Sequence, residues 1–148
     1  MNKIYAFIII VPLIAMLFFR SMAFYEFDTK QRYIKNAVDN AAHKVMITGV
    51  LTNDDMNDLK KELQKMGRFE TENILLERGV IEADGTIRGM NTYVPGNILN
   101  RGEIFSIFVQ SQEQPSLSKM EGGSGGQDEK LYYKAKAICR IEKVHDAG

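Results

Sequence analysis

Residues 4–19 read IYAFIIIVPLIAMLFF, sixteen positions without a charge, closed by Arg20 and followed by the partly apolar SMAFYEF of residues 21–27. A bilayer-crossing helix needs about 20 apolar residues, and an arginine at the end of the run can snorkel and bring Phe24 and Tyr25 to the interface. Ile4, Phe7, Ile10, Leu13 and Leu17 favour insertion, and Pro12 is tolerable inside a membrane helix. The expected element is therefore a membrane anchor over residues 1–25, with Arg20 at its aqueous end. A secretory signal segment has the same basic start and apolar middle, and Ser21-Met22-Ala23 offers small residues for cleavage. Arg20 sits where such a site is normally neutral, and the helical pattern runs through it, so the segment is expected to be retained. A run this uniformly apolar does not fit the core of so small a domain.

The pattern does not stop at the anchor. Phe24, Phe27, Gln31, Ile34, Val38, Ala41, Val45 and Thr48 are spaced alternately three and four apart, six of the eight being apolar, which is one stripe of a continuing helix. Lys30, Arg32, Lys35, Asn36, Asp39, Asn40 and Lys44 occupy the opposite side. One helix over residues 4–48 is predicted, ended by Gly49. Thr52 with Asp55 three residues on has capping-box spacing, and Asp54, Asp55 and Asp58 lie near the positive end of a second helix over 53–66. Met56, Leu59, Leu63 and Met66 mark its inward side, with Gly67 as a left-handed cap.

The remainder reads as strand and turn. ENILLERGVIE at 72–82 meets Asp84-Gly85, a tight hairpin signal leading into 86–88, and Gly79 weakens the first strand. Pro95-Gly96 is a second turn. EIFSIFVQ at 103–110 and KLYYKAKAICRIEK at 130–143 have strand character and should pair antiparallel. Between them, residues 113–129 contain GGSGG, the composition of a flexible loop. The fold class is α+β: a long membrane-plus-amphipathic helix, a short helix and a small antiparallel sheet, with residues 26–148 forming one domain continuous with the anchor.

Chemistry is thinly supplied. In 148 residues, nineteen basic residues balance nineteen acidic ones, and no basic stripe interleaved with aromatics points to nucleic acid. The single cysteine, Cys139, excludes an internal disulfide and a cysteine zinc site, and between Ile138 and Arg140 it reads as a small core hydrophobe. His43 and His145 lie apart, with no metal-ligand spacing. The acidic run 53–58 has the spacing of a helix start rather than that of a calcium loop, and the GGSGG segment lacks the lysine and helix of a phosphate loop. No catalytic, cofactor or metal residues are assigned, and the chain is expected to be non-enzymatic.

A hydrophobic N-terminal helix running unbroken into an amphipathic helix, then a small antiparallel sheet, resembles type IV pilins and pseudopilins. FDTKQRYIKNAVDNAAHKVMITGVLTNDDMNDLKKEL, residues 27–63, is similar to the segment after the membrane helix in tight-adherence pseudopilin-like proteins and a related Gram-positive family. The resemblance implies a cell-surface assembly subunit of an appendage, secretion or DNA-transfer system, with an extracytoplasmic domain and pilin-like or platform proteins as homo- or hetero-oligomeric partners. The implied seam is Phe24, Phe27, Ile34, Val38, Ala41 and Val45; the same stripe would alternatively pack on the chain's own sheet. Two features depart from the family pattern. Only Asn2-Lys3 separate Met1 from the apolar run, so an uncleaved accessory subunit is expected, and Glu26 follows the run and does not match the intramembrane glutamate of pilins. Arg20, Lys30, Arg32 and Lys35 behind the anchor, against Lys3 before it, favour a cytoplasmic domain by the positive-inside rule, opposite to the resemblance. A membrane-tethered extracytoplasmic binding module using the sheet and residues 113–129 is the alternative function.

Overall fold

The computed structural model describes residues 2–115 and 132–143. Helix α1, Asn2–Thr48, is one uninterrupted element of 47 residues with Pro12 inside it. At 1.5 Å per residue it is about 70 Å long. Its two halves differ in surroundings. Ile4, Phe7, Ile10, Leu13 and Leu17 are exposed, and 6% of its most apolar 18-residue stretch is buried. From Ala23 onward Ile34, Val38, Ala42 and Val45 are buried, and pairs four apart, Glu26 with Lys30, Asp28 with Arg32 and Lys35 with Asp39, cover the solvent side.

Gly49 ends α1 in the left-handed region at φ 74°, its N–H donating to the Val45 carbonyl at 2.7 Å. The Met46 carbonyl, another acceptor that the helix end leaves open, takes the N–H groups of Glu142 and Lys143 at 3.0 and 3.2 Å. The C-terminus of α1 is thereby pinned by the chain that leaves the last strand. Helix α2, Asn53–Gln64, starts on the expected capping box: the Asp55 N–H donates to the Thr52 hydroxyl at 3.1 Å and the Thr52 N–H to the Asp55 carboxylate at 3.3 Å. It stops two residues short of the expected end. Gly67 is not left-handed; the Met66 N–H instead closes a tight turn on the Leu63 carbonyl at 3.0 Å.

Four strands follow: β1, Ile74–Ile81; β2, Ile87–Thr92; β3, Glu103–Gln110; and β4, Lys134–Arg140. They form one antiparallel sheet in the order β2-β1-β3-β4. The β3–β4 pairing is as expected, while β4 is shorter than the 130–143 reading and β2 runs past Arg88 to Thr92. Gly85 turns the first hairpin at φ 84°. The weakness at Gly79 is a bulge: the register shifts between Arg78 and Val80, with Gly89-Met90 opposite Gly79. A Cβ at Gly79 would come within 2.5 Å of the Met90 sulfur, so a larger residue there requires the Met90 side chain to move aside.

One face of the sheet carries Ile74, Leu76, Phe105, Ile107, Val109, Ala135 and Ala137 into a core shared with Ile34, Val38 and Val45 of α1 and Met56, Leu59 and Leu63 of α2. Phe69 and Leu99 are fully buried in it. Tyr93 ties the core to the inter-helix link: its hydroxyl receives the Leu51 N–H at 3.0 Å and donates to the Asn97 carbonyl at 2.6 Å, and its ring meets Phe105 edge-on at 5.1 Å. Of the expected flexible segment 113–129, only residues 113–115 lie within the described chain, and His145 lies outside it.

Since Ile34 is fully buried, Ile34→Ala should lower the stability of the detergent-solubilised chain by about 2–5 kcal/mol, whereas the exposed Phe24→Ala should change it by less than about 0.5 kcal/mol. Urea titration followed by tyrosine fluorescence measures both.

Candidate functional site

Three of the six residues read as an intermolecular seam point inward. Ile34, Val38 and Val45 are 0% exposed and belong to the core of their own domain, the packing on the chain's own sheet that the sequence left open beside the seam. Phe27 and Ala41 are partly buried against that core, and Phe24 is exposed. A stripe of this width has one set of atoms to bury, and the sheet of the same chain takes it. What α1 leaves available is its first half: the expected anchor residues Ile4, Phe7, Ile10, Leu13 and Leu17, together with Met22, Phe24 and Tyr25, are all substantially exposed. Apart from Ala15 and Ala23, the residues of the apolar half are exposed on every side, and the helix is long and apolar enough to cross a membrane. Arg20 stands below this surface with its guanidinium carbon 6.0 Å from the Phe24 ring centre.

The junction between exposed and buried halves is built by α1 and β4. Phe27 stacks on Tyr133, ring centres 5.3 Å apart and planes 19° from parallel. β4 is an edge strand, and its outer backbone groups at Lys134 and the Lys136 carbonyl meet side chains of α1. The Gln31 amide donates to the Lys134 carbonyl and accepts the Lys134 N–H at 3.3 Å, as a neighbouring strand would. Lys35 donates from Nζ to the Lys136 carbonyl at 2.7 Å, and the Cys139 thiol lies 3.4 Å from the Ala42 carbonyl. Gln31, one of the two polar members of the stripe, is therefore a cap on the sheet edge, and so protects the edge from pairing with another chain. Its place between the apolar stripe positions Phe27 and Ile34 was its signal in the sequence.

A second concave feature lies between the helices. A groove of about 400 Å³ is lined by Tyr33, Asn40 and Lys44 of α1 and Asp55, Asp58 and Glu62 of α2, over a floor of Ala37, Ala41, Leu51 and Leu59. Lys44 bonds to Asp55 at one end and Tyr33 to Glu62 at the other. The hydrogen bond from Lys44 holds the Asp55 carboxyl below its usual range, and Lys65, then Tyr33, do the same for Glu62. With folded values depressed, both latches are fully formed above the ordinary carboxylate range and open only as pH falls through the lowered values.

The groove holds no nucleophile–base pair. Among the described residues no three His, Cys, Asp or Glu side chains are placed to hold a metal ion. His43 is exposed on α1, and the acidic run 53–58 serves as the start of α2. Burial pushes the Cys139 thiol up to about 11, away from the lowered values that make a thiolate nucleophile. Because the neutral thiol is the favoured form in the fold, this contribution to stability is complete below pH 9 and declines as pH rises toward 11. The chain matches no described protein family, no curated protein and no solved structure.

At pH 8, Cys139 should react with iodoacetamide about a hundredfold more slowly in the folded chain than in urea, from the thiolate fraction alone. A mass-spectrometric time course checks this; equal rates would contradict the half-buried placement.

Proposed function

We propose that the chain is a non-enzymatic, single-pass membrane subunit of a bacterial surface-appendage, secretion or DNA-transfer machine, pilin-like in organisation, with its domain on the extracytoplasmic side. The observation that carries this reading is the continuity of α1. One rigid element is exposed and apolar around its first half and locked into an α+β domain along its second. A tether for an independent domain needs no such rigidity; a short linker would hold it. A helix that protrudes unbroken from a domain can pack beside like helices and fix the angle at which successive domains are held. The work is then helix packing, within the bilayer or after extraction from it, and the seam consists of residues 4–25 in place of the buried stripe. Retention of the anchor is part of the proposal and is supported by the passage of α1 through Ser21-Met22-Ala23 without a break.

The test is crosslinking in native membranes, with single cysteines at Met22, Tyr25 and other exposed positions of α1 on a Cys139→Ala background. Disulfide formation between chains should recur every three to four positions. Lone, uncrosslinked chains at every position would overturn the assembly reading, and a mature chain beginning at Phe24 would overturn anchor retention. Labelling the same cysteines on intact cells with an impermeant maleimide reports the side: reaction at positions beyond the anchor before lysis is expected, and reaction only afterwards would place the domain inside.

A further inference from the structure

The domain has two open surfaces on opposite sides, and their features alternate in the same order. On the helix layer, the α1–α2 groove carries Asp55, Asp58 and Glu62 along one wall over the apolar floor of Ala37, Ala41 and Leu59. Positions 55, 58 and 62 share one face of α2 and span about 10 Å. Asp55 and Glu62 have partners within the chain, Lys44 for one and Lys65 and Tyr33 for the other. Asp58, between them, is exposed and makes no direct ion pair among the described residues, although it lies near enough to Lys44 to help favour its charged form.

On the other side, on the face of the sheet turned away from the helices, Ile104 and Ser106 of β3 are buried while the alternate residues of the edge strand β4 are exposed. Ala135, Ala137 and Cys139 of β4 face the core, so Lys136, Ile138 and Arg140 stand on the outer face. Ile138 is 55% exposed between the two cations, and Leu75, in the strand row of Lys136, is 46% exposed. Lys136 and Arg140 make no ion pair among the described residues and lie about 13 Å apart along the strand. A cation, an aliphatic side chain and a cation thus face outward on one side of the molecule. On the other, carboxylates border an alanine and leucine floor over nearly the same length.

We infer that the outer face of β4 docks into the α1–α2 groove of a second copy of this chain, with Ile138 over the apolar floor and Lys136 and Arg140 against the carboxylate wall at Asp58. The inference rests on the assembly reading proposed above and adds a domain-to-domain contact to the helix seam. Charge complementarity selects this occupant: the exposed Asp58 carboxylate stands on the groove side, and the outer sheet face presents two cations, Lys136 and Arg140, against one carboxylate, Glu77 in the row of Ile138. Because the two surfaces differ, the contact is heterologous and propagates from copy to copy, where a self-complementary patch would stop at a dimer.

The full-length chain in native membranes is treated with a zero-length carbodiimide, which joins a carboxylate to a lysine in contact. Asp58 and Lys136 lie on opposite sides of one domain, so a peptide containing both reports two chains. The expected result is an Asp58–Lys136 link and a ladder of dimer, trimer and higher species. Asp58→Lys alone and Lys136→Glu alone should each cut the ladder at least tenfold, and the double variant, with the pair reversed, should restore it. Both sites are exposed, so the fold tolerates either change, and an unchanged urea midpoint verifies this. A ladder of equal intensity in all four chains, a product that stops at dimer, or links only to a different protein would overturn the inference. If the α1 cysteine crosslinks persist while the Asp58–Lys136 link is absent, this contact falls and the helix-packing function stands; if both are absent, both fall.

Discussion

The burial of one helical stripe against one sheet face is the constraint from which the other features follow. Ile34, Val38, Ala42 and Val45 must reach Phe105, Ile107, Ala135 and Ala137, and this places α1 over β3 and β4. Alanines at 135 and 137 let the helix lie close to β4, where residues of larger volume would hold it away. That proximity makes Gln31 and Lys35 available to the outer backbone of the strand. It also brings residues 142 and 143 within reach of the last turn of α1, closing the helix end. Each polar contact at the junction is possible because the apolar one sets the distance.

Helices were the most legible part of the sequence. Sixteen uncharged residues and a three-four stripe predicted α1 nearly to the residue, since both depend on local pattern alone. The capping box of α2 was equally local. Its end was not, because Gly67 permits a left-handed turn without requiring one, and the chain takes a tighter turn from Leu63 toward Phe69, which is fully buried. β2 was read too short for a related reason. IRGMNT is exposed throughout and has no alternation to betray it; pairing with β1 imposes its extended form, with the bulge at Gly89-Met90 absorbing the extra residue.

The candidate surfaces were less legible. The periodicity that revealed a stripe on α1 does not say what covers it, and a sheet from the same chain, 60 or more residues later, satisfied the same hydrophobic demand. The exposed half of α1 was visible as composition. The groove, by contrast, joins side chains from two helices, and the outer row of β4 acquires meaning only once the alternation of that strand is fixed by the core. Sequence spacing could place Asp55, Asp58 and Glu62 on one face of α2, but not opposite the alanines of α1.

The absence of a joint between Ala23 and Ile34 makes α1 a lever. Below the domain the helix bears Pro12, where an internal hydrogen bond is lost and bending is easiest, and above it the stripe is clamped along its length. Any tilt of the segment between Pro12 and the domain is therefore delivered to the sheet as rotation of the whole domain. A change of angle in that segment would be read out some tens of ångströms away as a swing of the domain surface, by mechanical transmission alone.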